Sequence, residues 1–447
     1  MLKDAWTLAI EALSWIELQN LSERLALSRT ARQLNITDRG AKGLAHRLVY
    51  ETMRRKNYLD SLIDYVLSPQ TIDDYELGLR AFLRLYTYRT ALERKGNTYR
   101  EAVEIAGMGR SILGWQTLQP IEKALGTLLS LQPDRVLEKL GDDERVAFQT
   151  YHPDWFVRYC FKLLGRNDAL WFLSSSKNFL PVYIRVNTLM IEEERAIEKL
   201  QREGVNIEKV SEVSHVYRVL DTKHPLASTH GFREGVFSIQ DLASCLAIEV
   251  AAPEPDMTVF DVCAAPGSKT AHLAILMQNR GVIHSVDYSR RRMRLWKHNI
   301  TQVGVNIAMP LISDASAPLP FNQAADLVIL DPPCTSTGVF ARAPSAKWRL
   351  TQQSIPKMAD IQWPMLRNCA EKVKKGGRLV YSTYSISAEE NEMQIERLLR
   401  LYPEFRLAET RPCIGLPGLR GLTKCQRLYP QIHDCNGSFI AKLERET

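Results

Sequence analysis

From about residue 237 onward, short apolar runs rich in β-branched residues alternate with helical stretches, and two of these runs end on reactive loops. Such alternation commits the chain to a doubly wound α/β sheet. Strands are expected at 257–262, 281–286, 307–313, 326–331, 377–383 and 438–443, with helices at 289–302, 353–373 and 387–401. Val259-Phe260 leads into Asp261-Val-Cys-Ala-Ala-Pro-Gly-Ser-Lys269, which opens a helical stretch from Thr270 to Met277. A loop of this kind offers free backbone N–H groups and a positive dipole end, suited to a carboxylate or phosphate. Leu327 to Leu330 leads into Asp331-Pro-Pro-Cys334, an acid and a thiol three residues apart. Open sheets bind ligands outside the carboxyl ends of their strands. An anionic cofactor and a sulfur-bearing reaction site are therefore expected on one sheet edge.

At 447 residues the chain exceeds one core, so two or three domains are expected. The formal charge of +7 permits nucleic-acid binding without requiring it. No run of about 18 apolar residues is present, so no membrane span is expected, and Met1-Leu-Lys-Asp-Ala-Trp6 starts on a helical pattern without a signal-peptide layout. Eight cysteines without a C-x-x-C pair read as reduced thiols of a cytoplasmic protein. Cys413, Cys425, Cys435 and His433 fit no ligand spacing, so no metal is expected. A monomer is the default.

Residues 1–145 carry helical spacing throughout, as in Trp6, Ile10, Leu13 and Ile16. Arg47, Arg54, Arg55 and Lys56 form a basic cluster there, read either as a solvated face or as a phosphate-contacting surface. After a break near Gly141-Asp-Asp-Glu144, residues 146–235 make a small α+β unit, with strands at Pro181–Asn187, Val205–Ile207 and Val216–Leu220 and a helix at Ile191–Glu203. Residues 236–447 form the main sheet.

Asp287 ends a strand twenty residues after Gly267, the position of a ribose-hydroxyl acceptor. The first loop lacks G-x-G-x-x-G, so no pyrophosphate cradle exists. A ribose holder without that cradle points to S-adenosylmethionine. Cofactor contacts are expected from Cys263, Ala264, Ala265, Pro266, Gly267, Ser268, Lys269, Asp287, Arg292 and Asp331, and from Asp314 toward the adenine amino group. A lone Asp at a strand end also caps turns and helices.

These motifs, with Lys347-Trp348, Gly376-Gly-Arg-Leu-Val-Tyr-Ser-Thr383, Arg185-Val-Asn187, Gln240-Asp241 and Asn436-Gly-Ser-Phe-Ile-Ala441, resemble the RNA cytosine-C5 methyltransferases of the Sun/Fmu and Nop2/NSUN type. The resemblance covers roughly residues 150–447. It implies a Rossmann-like class I S-adenosylmethionine-dependent methyltransferase domain behind a small RRM-like subdomain. The helical first third resembles the NusB-type RNA-binding domain of the bacterial small-subunit rRNA member. By this resemblance the substrate is rRNA or tRNA.

The family's chemistry adds a thiolate to cytosine C6 so that C5 can take a methyl. It uses one cysteine for attack and one, in the Pro-Cys motif, for product release. Cys334 matches the release cysteine, and Asp331 the acid that contacts the base and cofactor. The chain departs at Tyr384, which stands at the nucleophile position, and at Ser345, where the family has an acid. A phenol is harder and less acidic than a thiol, so Tyr384 is expected to stack or fill the pocket. Three readings remain open: Cys334 itself attacks C6, the chain is a weakly active RNA-binding or assembly factor, or another base atom is methylated.

Overall fold

The computed structural model describes residues 1–93 and 98–447, so the expected helicity of 94–97 lies outside the described residues. Two compact units partition the chain.

One unit comprises Met1–Asn178 and Phe340–Gln352. It begins with α1 (Leu2–Gln19), α2 (Glu23–Gln33), α3 (Arg39–Arg54) and α4 (Lys56–Leu67). The apolar stripe of α1 buries Trp6, Ile10, Leu13 and Ile16 in one core with Leu48, Leu59 and Phe82. Helices continue through Asp142–Thr150, Asp154–Leu164 and Arg166–Ser175, past the boundary expected at residue 145. The apolar spacing explains the extension: Phe156, Val157 and Cys160, then Ala169, Phe172 and Leu173, are buried at helical intervals.

The expected basic cluster is corrected by its surroundings. Arg54 is buried, pairs with Glu51 at 3.0 Å and donates to the Ala341 carbonyl at 3.2 Å. Arg55 also pairs with Glu51, Lys56 with Asp60 at 2.7 Å, and Arg47 with Glu93. Asp60 in turn holds Arg84, which a second carboxylate, Glu17, also pairs. These cations are engaged by intramolecular carboxylates; Arg54 is buried, whereas Arg47 keeps half of its side chain exposed.

The segment Phe340–Gln352 completes this unit's packing. Glu23, buried on α2, accepts from Ser345 N and from Ser345 Oγ at 2.9 Å. Ser345 is thus a partner of α2. Trp348 Nε1 donates to the Met53 carbonyl at 2.6 Å. Lys347 is fully buried and donates to the carbonyls of Arg54, at 2.8 Å, and Tyr151. Burial, with Arg54 and Arg55 nearby, drives its ammonium well below the usual lysine range. Lys347→Ala leaves two buried carbonyls without a donor and should destabilise the protein by about 2–4 kcal/mol, read as a lower urea midpoint. An unchanged midpoint would show that the two bonds are dispensable.

The other unit comprises Phe179–Val339 and Gln353–Thr447. Its smaller sheet is antiparallel, with β1 (Val182–Val186), β2 (Val205–Lys209), β3 (Val216–Thr222) and β4 (Phe237–Ile239) in the order β2-β3-β1-β4. The larger sheet holds β5 (Thr258–Val262), β6 (Val282–Asp287), β7 (Ala308–Ile312), β8 (Ala325–Leu330), β9 (Val373–Thr383), β10 (Phe405–Ala408), β11 (Leu416–Pro417), β12 (Gln426–Leu428) and β13 (Ser438–Arg445). Its order is β11-β12-β13-β9-β8-β5-β6-β7, with β10 also on β13. Strands β7-β6-β5-β8-β9 are parallel, and β13 joins β9 antiparallel. The strand order reverses between β5 and β8, the place where a crevice opens in such folds. The six expected strands all form, β9 starting four residues early. The helix expected from 387 begins only at Glu392, because residues 385–391 are engaged elsewhere.

Candidate active site at the switch point

Register places the two reactive loops side by side. Val262 pairs with Leu330, so the loops after β5 and β8 leave adjacent strand ends, and Asp331 N donates to the Val262 carbonyl at 3.3 Å. Gly267 caps the helix Ser268–Leu276 at φ 104°. A Cβ there would also come within 3.1 Å of Trp296, so glycine serves both the turn and the packing of the helix Arg290–Gln302. That helix pins the loop backbone: Asn299 donates to the Pro266 carbonyl at 2.9 Å and Arg292 to the Ala265 carbonyl.

A cleft of about 300 Å³ opens over these loops. Its lining includes Asp261, Lys269, Asp331, Gln240, Asp241 and Tyr384. Asp261 is buried, and Thr270 Oγ1 donates to its Oδ2 at 2.6 Å, while its Oδ1 has no hydrogen-bond partner among the described residues. Burial pushes this carboxyl up to about 6. An orphaned carboxylate oxygen beside a roomy cleft fits an ammonium group. Lys269 donates to Asp331 Oδ2 at 2.6 Å; burial opposes its charge, but Asp331 holds the ammonium above the usual lysine range. The Lys269 Nζ lies 5.8 Å from the centre of the Tyr384 ring.

Asp287 sits at the tip of β6 as expected, but it is buried and engaged. It accepts from Ala265 N at 3.3 Å and Ser289 N at 2.9 Å, and it pairs with Arg292 at 3.0 Å. Arg292 is the half-exposed member of this pair and also donates to the Ala265 carbonyl. Asp314 is exposed and accepts from Ser316 N at 2.9 Å and Ser316 Oγ at 2.7 Å, so it closes its own turn and is not among the cleft-lining residues.

Cys334 is held by its neighbours in the chain. Gln362 donates to the Pro333 carbonyl at 2.9 Å, and Thr335 N donates to Glu390 Oε2 at 2.9 Å. Glu390 is fully buried and accepts further from Thr335 Oγ1, Ser385 Oγ at 2.6 Å, Ser387 Oγ at 2.9 Å and Gln362 Nε2 at 2.9 Å. One carboxylate thereby ties the Cys334 loop to the Tyr384–Ser387 loop. Gly338 continues the clamp, donating to the Tyr384 carbonyl at 2.9 Å; a Cβ there would come within 2.0 Å of the Gly437 carbonyl oxygen. Burial, with Glu390 and Asp331 close by, pushes the Cys334 thiol up to about 12. Burial, with Asp241 and Asp331 close by, likewise drives the Tyr384 phenol well above its usual range.

Sequence reasoning missed Asp261 as a ligand group, the Glu390 hub, and Arg185. Arg185 is buried without a carboxylate partner, donates to Gln240 and to the Ser268 carbonyl at 3.1 Å, and is pulled down to about 10 by burial. Gln240 passes the contact on to Ser244 at 3.0 Å. The Arg185 and Gln240 motifs stand out in the chain, but their convergence is a product of the tertiary fold.

A parallel sheet reversing at β5/β8, a glycine-turned loop opening a helix and an acid-lined cleft above them define a class I S-adenosylmethionine-dependent methyltransferase. The model of the 16S rRNA methyltransferase RsmB/F family matches residues 248–444. The chain is 32% identical over 412 residues to the probable ribosomal RNA small subunit methyltransferase B of Bacillus subtilis, covering 89% of this chain and 88% of that protein. The chain belongs to this RNA cytosine-C5 methyltransferase family. Among solved structures, that of PH0851 superposes with a TM-score of 0.84 at 28% identity, covering 100% of this chain and 99% of that one. NSun6 from Pyrococcus horikoshii, solved with SFG, gives a TM-score of 0.62 at 26% identity, covering 66% and 98%. Among the described residues no helix is long and apolar enough to cross a membrane.

Asp261→Asn tests the orphaned carboxylate. A raised folded-state pKa contributes stability only below the unfolded value near 4 and loses it as pH rises through about 6. Removing the charge should therefore stabilise the free protein by about 1–3 kcal/mol at pH 7.5 and by little at pH 4, while weakening S-adenosylmethionine in calorimetry. A melting temperature that falls at pH 7.5 would contradict this. Asp287→Ala should cost roughly tenfold or more in S-adenosylmethionine affinity, from charge-assisted hydrogen bonds of about 1.5–3 kcal/mol each; unchanged binding would refute the ribose placement.

Proposed function

We propose that the chain methylates C5 of a cytosine in RNA, ribosomal RNA being favoured, with Cys334 as the nucleophile. The observation that carries this reading is the Asp331–Lys269 pair at the switch point, with Cys334 clamped three residues further along one loop. The names of the relatives, rRNA methyltransferases, point to the same substrate class.

Within this reading Asp261 takes the ammonium of S-adenosylmethionine, Asp287 the ribose hydroxyls, and the Cys263–Lys269 loop the methionine end. The NSun6 relative's SFG, an analogue of that cofactor, accords with such a cleft. S-adenosylmethionine would supply an electrophilic methyl group, the broken S–CH3 bond leaving its electron pair on a neutral thioether. Cys334 Sγ gives its proton to Asp331 and bonds to cytosine C6, which places an electron pair at C5 to receive the methyl. Loss of the C5 proton to solvent restores the ring, and the departing thiolate recovers the proton from Asp331. Lys269 orients Asp331 through their ion pair. Tyr384 keeps its proton and offers a ring.

One observation favours a second reading, a slow or idle methyltransferase that serves as an RNA-binding factor. Both groups at the family's cysteine positions, Cys334 and Tyr384, stay protonated near neutral pH. RNA substituted with 5-fluorocytosine separates the two, because fluorine at C5 cannot leave as a proton does. The native chain and Tyr384→Phe should trap a covalent complex, and Cys334→Ser should not. With the thiol at about 12 and its proton passing to Asp331 within the site, the trapping rate should stay flat from pH 7 to 9; a rise of roughly tenfold per pH unit would show that the proton leaves to solvent instead. No trapped band and no methylated cytosine would leave the binding factor; trapping abolished in Tyr384→Phe alone would transfer the attack to the tyrosine.

A further inference from the structure

In the unit that holds the cleft, the helix Arg290–Gln302 carries charge of one sign. Arg290, Arg291, Arg292, Arg294 and Lys297 are all exposed, with the exposed His298 beside them. No Asp or Glu occurs between Asp287 and Asp314. Other charged helices of this unit balance their signs. Glu193, Glu194 and Glu198 stand against Arg195, Lys199 and Arg202 on Glu193–Arg202, and Glu392 and Glu396 against Arg397 and Arg400 on Glu392–Leu401. Arg290, Arg294 and Lys297, four and three residues apart, share one helix face. Along the axis Arg294 and Lys297 lie about 6 and about 10.5 Å from Arg290.

Among the described residues only Arg292 of these five enters a salt bridge, with Asp287. The flanking acids are committed: Asp287 also accepts from Ala265 N and Ser289 N, and Asp314 closes its own turn on Ser316. Folding alone does not favour this arrangement. The positive end of a helix favours acids in its first turn and disfavours cations, yet this first turn holds no acid and begins on three arginines. An anion on the outer face relieves that repulsion, and a neutral partner does not. The helix begins three residues past the end of β6, and β6 stands two strands from β8 in the sheet order. At ordinary strand spacing that is about 10 Å from the strand whose loop bears Cys334, a span of roughly three nucleotides at 3.4 Å each.

We propose that the outer face of the helix Arg290–Gln302 contacts the phosphates of the RNA strand flanking the target nucleotide, through Arg290, Arg294 and Lys297. A regularly spaced polyanion complements a regular row of unpaired cations. Contacts of this kind fix register and orientation and carry no sequence information, so the helix sets how the strand crosses the sheet end while the cleft selects the base. The three residues are not among those lining the cleft. The proposal rests on the reading of RNA as substrate and adds a contact on the cofactor side of the sheet.

The test uses the full chain and a fluorescein-labelled single-stranded RNA with a central cytosine, titrated at several KCl concentrations. Arg290→Glu with Arg294→Glu should weaken binding at least about tenfold and flatten the salt dependence by about 0.7 log units for each phosphate no longer neutralised. These substitutions put acids at the positive end of the helix, so the melting temperature should hold or rise. Arg290→Gln with Arg294→Gln, which removes charge without reversing it, should reproduce the loss in part. Calorimetric S-adenosylmethionine binding should not change in either double variant. Lys375→Glu, an exposed charge at the start of β9, should alter neither affinity nor slope. In methyl transfer to the same RNA, the charge reversal should raise KM and leave kcat. A trinucleotide centred on the cytosine is too short to reach the helix and should bind native and variant chains alike. Unchanged affinity and slope would overturn the surface, as would a trinucleotide that distinguishes the chains or a loss that tracks a lowered melting temperature in both double variants. Equal competition by polyglutamate of matching charge would overturn RNA as the occupant in favour of an acidic protein. If the native chain methylates nothing while the binding differences persist, the functional reading fails and the surface stands.

Discussion

A buried carboxylate without a buried cation organises the reactive end of the sheet. Glu390 satisfies its oxygens with five neutral donors drawn from three places: the loop after β8, the loop after β9, and Gln362 of the helix Ser354–Ala370. Isolated burial of such a charge costs many kcal/mol, so these donors must stay together for the fold to persist. Loops that would otherwise move independently are thereby fixed relative to one another. The late start of the helix at Glu392 follows from the same arrangement, since Ser385, Ser387 and Glu390 are used in the hub before helix geometry can begin. Two residues on, Glu392 is paired with the buried Arg427, so the next acid in the chain is neutralised by the opposite strategy.

The hub and the cleft share an electrostatic bias. Asp261, Asp331 and Glu390 stand near the switch point, and Lys269 pairs with Asp331. In the free protein burial, reinforced by these acids, keeps the Cys334 thiol protonated and leaves Asp261 costly to ionise. A positively charged ligand would relieve both. The cleft thus holds stability in reserve for binding, as sites under functional demand commonly do.

Much of this was readable from the chain. Strands β5, β6, β8 and β13 each contain a short apolar run, as in Leu327–Leu330 or Phe439–Ala441, and the reactive loops were placed by their local chemistry alone. β10, β11 and β12 were missed because two to four residues cannot show a period. Asp314 looked equivalent to Asp287, and only the turn at Ser316 separates them. The fate of Arg54, Arg55 and Lys56 depended on Glu51 and Asp60 one turn away, as well as on Ala341, nearly three hundred positions along the chain. Charge runs report composition, whereas availability is decided by partners that composition does not rank.

The assignment of Phe340–Gln352 to the helical unit has a temporal consequence. About 160 residues separate Asn178 from Phe340 in the chain. At roughly 5–20 residues per second of synthesis, the first 178 residues would wait on the order of ten to thirty seconds for the segment that supplies Ser345, Lys347 and Trp348. Until then Glu23 lacks its two donors, and the carbonyls of Met53, Arg54 and Tyr151 lack theirs. The nascent helices must therefore persist with an unfinished seam, and the loop bearing Cys334 emerges just before the piece of chain that closes that seam.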